Sequence, residues 1–573
     1  MLARDYKARV FVVFVCFALL FTVISIRLFL IQIKQKEFFK LLAKQQYELE
    51  ISLNPQRAVI YDCTKHIPLA FNHEVSSAFV IPQQLVEPDR TMHFLKNHYP
   101  EVHKRIVDNP DKQFLWVDRK LSAEKYEFLE QQQLKDINFI GEFQRFYPFK
   151  SAAQVVGFTD IDNVGTVGVE LGFSRHLGGS PSRVKFEKDA RSGLFYFEKR
   201  IQKKGDKGKP ITLTIDSTLQ SLAYDELKKA VTSFEAKSGS ALIINPDSGE
   251  VLTMVNYPSF DPNQKSVPSL DAMKNNIVSE CYELGSVMKA FCALAALDDG
   301  VVEYDEPIDC EGRFGYIDGV KIENPTIVLL RKLEEQNNML PFCDVIRYSS
   351  NVGIAKVAKR LGPRLYMHLR RLGFGTKTHI QFPGERDGFV NPPERWSKPS
   401  LIVMSFGYEL TATLMQLAHA FCIIANGGYQ VQPTLIAHDD EPALSFISRA
   451  KKVLTGSVDN KEHGKKLYKD DTIVQMKNML ERVVDKYPIT GFRVMGKTGT
   501  ARCVENGRYS NKLHNYTFAG IVEKDGYRRV VVTFIKEPVK TGLWASSVAL
   551  PLFHKIAERM VVHDKMHHGL IAA

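Results

Sequence analysis

The sequence predicts an α+β protein, and three features predict it. Two hairpin signatures lie far apart, at residues 240–256 and 516–537. Segments of helical periodicity fill the space between them, so one antiparallel sheet must gather distant strands and pack on a helical insert. All membrane signal sits in the first few dozen residues of a chain that is otherwise globular in texture.

The elements follow in order. Val10 to Ile26 carries no charge, and the apolar run resumes after Arg27 through Ile31. A spanning helix needs about 20 apolar residues, and Arg27 near one end can snorkel. Arg4, Lys7 and Arg9 precede the run, which places the N-terminus in the cytoplasm and the rest outside it. No small-x-small cleavage site follows, so an uncleaved signal anchor is expected. Residues 35–205 are polar and mixed. They hold strand-like Arg57 to Asp62, a helical stretch near Ser122 to Leu134, a loop at Gly178 to Pro181, and a linker at Gly205 to Pro210.

From Ile211 the texture changes. Ile211 to Ile215 alternates like a strand, and Asp216 is a natural cap for an amphipathic helix through about Ala236. Ser240 to Asn245 and Glu250 to Asn256 flank a turn at Asn245-Pro-Asp-Ser-Gly249. Helices are expected at Ser286 to Leu297, at Leu340 to Leu361 with a break, and at Ala412 to Ala425. Tyr516 to Glu523 and Tyr527 to Glu537 form the second hairpin around Asp525-Gly526, and a last helix covers Pro551 to Val561.

Composition sets outer limits. The 573 residues suit two to four domains at about 150 residues each. With 44% hydrophobic and 25% charged residues the chain is neither disordered nor collagenous, and a single apolar run excludes a polytopic transporter. The net charge of +11 suits an anionic surface but is too dispersed for a nucleic-acid footprint. Seven cysteines lie beyond the apolar run, an odd number, with no CxxC or Cys/His cluster to suggest zinc or a redox dithiol. No metal or cofactor is expected.

The chemistry lies in three short motifs. An acyltransferase without a histidine base needs a serine nucleophile, an amine to take its proton, and donors for an anionic substrate and an oxyanion. Ser-x-x-Lys occurs four times, and three copies (Ser122, Ser182, Ser448) sit in charged, solvated surroundings. Only Ser286-Val-Met-Lys289 opens an apolar helix, where Ser286 lies in the first turn and apolar neighbours desolvate Lys289 toward a base. Ser-x-Asn occurs at Ser52 and at Ser349-Ser-Asn351, and the latter breaks a helical stretch and can offer a hydroxyl and an amide to a cleft. Lys-Thr-Gly occurs at Lys497 and at Lys540. The first follows strand-like Phe492 to Gly496 and continues to Thr500, so that Lys497, Thr498 and Thr500 supply a cation and two hydroxyls while Gly499 lets a substrate backbone lie close. The second reads as a turn after a strand. The chosen copies stand in the order Ser286, Ser349, Lys497, in a helix start, an interhelix break and a strand.

In this set and order the chain resembles the class B penicillin-binding proteins, the monofunctional peptidoglycan D,D-transpeptidases. Tyr282-Glu-Leu-Gly-Ser286, Asn245 to Glu250, Tyr257 to Asn263 and Gly496 to Ala501 resemble that family, as do the pedestal segments Arg145 to Gly157 and Gly165 to Glu170. Ser405 to Tyr408, Gly507 to Tyr509 and Tyr516 to Gly520 look more like the cell-division (FtsI-type) member than the elongation one. Leu284, Val287, the glycine-poor Arg57 to Lys65, and Ala545-Ser546 in place of two glycines at an expected strand edge depart from the pattern. None removes a catalytic group.

The resemblance implies the penicillin-binding transpeptidase fold, shared with serine β-lactamases. It divides the chain into a cytoplasmic tail 1–9, an anchor 10–31, a noncatalytic pedestal (dimerisation-like) domain 35–205 and a transpeptidase domain 206–573. It implies Ser286 as nucleophile, Lys289 as its base, Ser349 as relay to the leaving D-alanine, Asn351 on the substrate amide, and Lys497 supporting the relay. Thr498, Gly499 and Thr500 would bind the substrate, with Ser286 and Thr500 N–H groups as the oxyanion hole. Expected partners are stem peptides on lipid-linked precursor or nascent glycan, β-lactams, the cell membrane, a SEDS-family glycosyltransferase and other divisome membrane proteins, at the division septum; no nucleic acid is expected. The alternatives are a β-lactam sensor or β-lactamase of the same fold, and a catalytically silent divisome scaffold.

Overall fold

The computed structural model describes residues 2–53, 56–112, 114–180, 182–188, 195–203, 205–264, 268–324, 326–437, 464–505, 507–540 and 544–568. They form two compact units, neither continuous in sequence.

The first unit takes Met1–Gln56, Glu74–Glu142 and Gly178–Gly208. It begins with α1 (Leu2–Phe29), extended by a π-helical turn at Leu30–Lys34. Tyr6–Lys34 is the one helix among the described residues long and apolar enough to cross a membrane, and none of it is buried. Exposed Phe and Val side chains along it require an apolar solvent, which fits a single-pass membrane protein. Further on, a small core of Leu95, Ile106, Val117 and Leu129 is built under helices and a short strand. Glu48–Leu53, Ser182–Lys188 and Phe195–Lys203 make a separate antiparallel sheet.

The second unit joins Arg57–His73 and Phe143–Leu177 to everything from Lys209 onward. Its first two segments are stitched in by charge. Arg57 Nε and Arg145 Nε donate to the two oxygens of Glu170, at 2.5 and 2.7 Å, with all three side chains buried. Arg57 Nη2 also donates to the Glu170 carbonyl at 2.7 Å. A lone buried charge here would be costly, and the reciprocal geometry offsets that cost.

The main sheet is built as expected from distant strands. After α2 (Ser217–Ser233) come β1 (Ala236–Ile244) and β2 (Val251–Tyr257). Asp216 caps α2, its carboxylate accepting from Thr218 and Leu219 N–H at 2.9 Å. The helix ends earlier than the sequence suggested, because Glu235 takes a left-handed turn (φ 50°) that releases Ala236 into the strand. Next come α3 (Lys289–Asp298), a hairpin of β3 (Phe314–Ile317) and β4 (Val320–Glu323), then α4 (Phe342–Arg347), α5 (Asn351–Leu361) and α6 (Leu414–Ala425). Leu340, expected in a helix, lies instead in a short strand, Met339–Pro341, paired with Pro307–Asp309. The chain closes with β5 (Arg493–Glu505), β6 (Arg508–Lys524), β7 (Tyr527–Pro538) and α7 (Ala545–His568). The last helix starts well before Pro551, which it carries inside its first turns.

Sheet order is β2-β1-β7-β6-β5, all antiparallel, so β5 is an edge. Side-chain alternation sorts its two faces. Leu242, Ile244, Val530 and Val532 join the helical core of α3, α5 and α6. Ala241, Ile243, Val531 and Ile535 meet α2 and α7. The result is a sheet between two helical layers. All eight cysteines are unpaired, and Cys292, Cys310, Cys343 and Cys422 are buried thiols.

Candidate active site

Three chain segments meet where the sequence motifs predicted. Ser286 lies in a 3₁₀ turn, Gly285–Met288, that leads directly into α3. Lys289 is therefore the first residue of the α-helix, and its side chain is fully buried. Ser349 sits in the break between α4 and α5, in the left-handed region at φ 63°. A serine rarely adopts that conformation, and here it turns both the Ser349 carbonyl and its hydroxyl toward one amine. Lys289 Nζ donates to the carbonyl at 2.6 Å and to Oγ at 3.0 Å. Lys497 Nζ, from the middle of β5 and also fully buried, reaches the same Oγ at 3.2 Å.

Burial sets the charge state of these amines. Loss of water holds Lys289 well below the usual lysine range, and the neighbouring Lys497 pushes it the same way. Burial alone brings Lys497 down to about 7. Two lysines sharing one hydroxyl in a dry site resist double protonation, so a neutral amine able to accept a proton is available near neutral pH.

The Ser349-Ser-Asn351 turn is held from behind by Asn324, a residue that stands in none of the three motifs. Asn324 is fully buried, and its Oδ1 accepts from Asn351 N–H (2.9 Å), Val352 N–H (3.3 Å) and Ser350 Oγ–H (3.0 Å). Its Nδ2 donates to the carbonyls of Gly312 (2.6 Å) and Cys310 (3.0 Å). Orphan N–H groups at the start of α5 are thereby satisfied, and Ser350 completes the cap by accepting from Gly353 N–H at 3.0 Å. Ser350 is the cap, which frees Asn351 to face the cavity. Asn351 Nδ2 donates to the Glu323 carbonyl of β4 at 2.7 Å.

Glycines bring the walls together. A Cβ on Gly499 would lie 2.3 Å from the Leu284 carbonyl, one on Gly285 (φ 59°) 2.5 Å from the Thr500 carbonyl, and one on Gly407 2.2 Å from the Gly285 carbonyl. So β5, the Ser286 turn and the 405–408 segment touch backbone to backbone. Along β5, Lys497, Gly499 and Ala501 point inward and are buried, while Thr498, Thr500 and Arg502 face the cavity. Thr500 Oγ1 accepts from Ala545 N–H at 3.2 Å. Ala545-Ser546 stands in the first turn of α7 on the cavity rim, not at the strand edge the sequence suggested.

The cavity holds about 580 Å³ and is lined by Ser286, Ser349, Asn351, Thr498 and Thr500. Its further wall has Tyr408 and Tyr509, edge to face at 5.3 Å. Tyr509 O–H and Glu409 N–H both donate to Glu283, at 3.0 and 3.1 Å, and burial raises that carboxyl above its ordinary range. Glu283 lay within a segment named for its resemblance but was not assigned a role. Asn324 is followed by Pro325, and a buried asparagine partnered only through folding leaves no local signature.

The other motif copies go elsewhere. Ser122 caps a surface helix and Lys125 pairs with Asp118. Ser182 to Lys185 runs along a strand of the first unit. Lys540 is exposed past the end of β7 and donates to the Ser233 carbonyl. Ser448 to Lys451, Asn54 and Thr541-Gly542 lie outside the described residues.

Comparison with known proteins agrees with this geometry. The profile described as "Penicillin binding protein transpeptidase domain" matches residues 239–558, and "Penicillin-binding Protein dimerisation domain" matches residues 52–213. The chain is 29% identical to the probable peptidoglycan D,D-transpeptidase PbpC of Pseudomonas aeruginosa, over 99% of both chains. It is 30% identical to the peptidoglycan D,D-transpeptidase FtsI of Escherichia coli K12, over 80% of this chain and 73% of that one. Among solved structures, penicillin-binding protein 3 of Mycobacterium tuberculosis in complex with aztreonam shares the fold with a TM-score of 0.64, at 24% identity, covering 90% of this chain and 97% of that one. A transpeptidase profile spanning more than half the chain, over a site where a serine faces two buried lysines, places this protein in the class B penicillin-binding proteins, a family of serine acyltransferases.

Proposed function

We propose that the chain is a peptidoglycan D,D-transpeptidase that cross-links stem peptides through a Ser286 acyl-enzyme and is a target of β-lactams. Ser286 Oγ attacks the carbonyl of the penultimate D-alanine while its proton passes to Lys289. The tetrahedral oxyanion sits against the N–H groups of Ser286 and Thr500. Its collapse breaks the peptide bond, and the departing D-alanine nitrogen takes a proton relayed through Ser349, with Lys497 behind it. Thr498 and Thr500 hold the terminal carboxylate beside Gly499, and Asn351 orients the substrate amide. A second stem-peptide amine then attacks the ester, gives up its proton along the same relay, and returns Ser286 to its hydroxyl form. One observation carries this reading: two fully buried lysine amines meet at Ser349 Oγ in the cavity that contains Ser286.

The anchor is read as N-terminus inside, on the basic residues before it, with the catalytic unit outside the cytoplasmic membrane. A septal role, alongside a SEDS-family glycosyltransferase and other division proteins, rests on likeness to FtsI. The test is a fluorescent penicillin applied to the full chain, with the adduct mapped by mass spectrometry. A single ester at Ser286, absent in Ser286→Ala and slow to hydrolyse, is expected. A label that persists in Ser286→Ala refutes the nucleophile, and rapid hydrolysis means a β-lactamase.

A further inference from the structure

The β3–β4 hairpin has a face the mechanism leaves unused. Strand alternation divides it cleanly. Gly315, Ile317 and Ile322 point inward, where Ile317 and Ile322 pack with Val352, Ala355 and Ile402. A Cβ on Gly315 would come within 2.7 Å of Val352, so this face is seated directly on α5. Phe314, Tyr316, Lys321 and Glu323 occupy the outer face, with Phe314 opposite Glu323 and Tyr316 opposite Lys321.

Three observations give that face a purpose. It is continuous with the catalytic cavity, because Lys321 and Glu323 also line it. It displays an aromatic ring to solvent: Tyr316 is 61% exposed on a strand firmly held beneath. It also carries cations on a fixed seat, since Lys321 Nζ lies 3.9 Å from the centre of the Phe314 ring and the Arg313 guanidinium 5.3 Å from it. Arg313 is further steadied by Glu323 at 3.3 Å.

We infer that the outer face of this hairpin is a subsite for the peptidoglycan strand beyond its reacting D-alanine end, Tyr316 stacking on an amino-sugar ring and the Phe314-seated cations Lys321 and Arg313 meeting stem-peptide carboxylates. This inference rests on the transpeptidase reading for its substrate. The occupant is the strand because a substrate held at Ser286 is the end of a long anionic polymer, and the polymer must leave the cavity over one of its rims. Tyr316 and Arg313 do not line the cavity that holds Ser286, so a ligand confined to that cavity need not touch them.

The experiment compares a short ligand with a long one on the full chain in detergent. Fluorescent penicillin acylation reports the catalytic centre, and retention of uncross-linked, pentapeptide-bearing glycan strands on immobilised protein reports the rim. Tyr316→Ala should weaken strand binding about tenfold while penicillin acylation stays at the parent rate. Tyr316→Trp should restore binding, because a larger ring keeps the stacking surface. Arg313→Ala should weaken binding and reduce its salt dependence. Unchanged strand affinity in Tyr316→Ala overturns the inference, and so does a matching fall in penicillin acylation, which would make the hairpin a support of the catalytic centre. Absence of Ser286 labelling in the parent chain would instead refute the transpeptidase reading.

Discussion

Two lysine amines converge on the hydroxyl of Ser349, and their mutual repulsion is a usable quantity. Lys289 is held low by burial and further by Lys497. Only the neutral amine accepts a proton, so acylation should rise as pH increases through the range where these lysines deprotonate. Lys497→Met removes a positive neighbour, which lets the Lys289 pKa climb back toward its ordinary value. The ascending limb of the penicillin acylation rate should therefore move to higher pH in this variant, and the plateau rate should fall because the relay loses a member. Stopped-flow or gel-based acylation across the neutral range measures both. A limb that stays in place would show that Lys289 does not titrate in the step. Ser286, Lys289 and Lys497 were readable in the chain because each stands in a short motif with a telling neighbour: an apolar run after Ser286, a strand-like approach before Lys497.

At the scale of elements, the interhelix break depends on a side chain drawn from another part of the fold. Asn324 satisfies three donors at the start of α5 and two carbonyls of the preceding loop. Replacing it by leucine keeps the volume and strips all five partners. Each buried group left unpaired costs about 1–3 kcal/mol, so thermal stability should fall measurably. Acylation should fall about tenfold or more, because Ser349 loses the turn that holds its left-handed conformation. Asn324→Asp, which keeps the acceptor, should recover part of both losses. Equal acylation in the leucine variant and the parent would remove Asn324 from the support of the site. The break itself was legible, since polar Tyr348 to Asn351 interrupts an apolar periodicity. Asn324 was not, since its meaning lies in partners that only the folded chain brings near. The lengths of α2 and α7 were misjudged for a related reason: tertiary packing outweighs local propensity at helix ends.

At the scale of the whole chain, the second unit is held by an arrangement that cuts across sequence order. Arg57, Arg145 and Glu170 come from separate segments and close into one buried ion triad. Glu170→Gln leaves two guanidinium groups without a counter-charge, and breaking a buried pair in this way costs about 3–5 kcal/mol. The denaturation midpoint should drop accordingly, while penicillin acylation per folded molecule stays at the parent level because the triad lies apart from the cavity residues. An unchanged midpoint would show that water reaches the triad. The α+β architecture and the distant-strand sheet could be read from hairpin signals and helical periodicity. The triad could not be read, because nothing local in Arg57 or Glu170 announces a partner about a hundred positions away. The same interleaving has a consequence in time. Ile60-Tyr61 pairs in parallel with Ile211-Thr212, and its segment is part of a unit completed only by β7 and α7. A ribosome delivers residues 57–73 first, so the earliest piece of this unit holds only its local pairing with Pro68 and Ala70 until roughly 150 further residues bring Ile211-Thr212 within reach. Until then it is a client for whatever guards unfinished proteins.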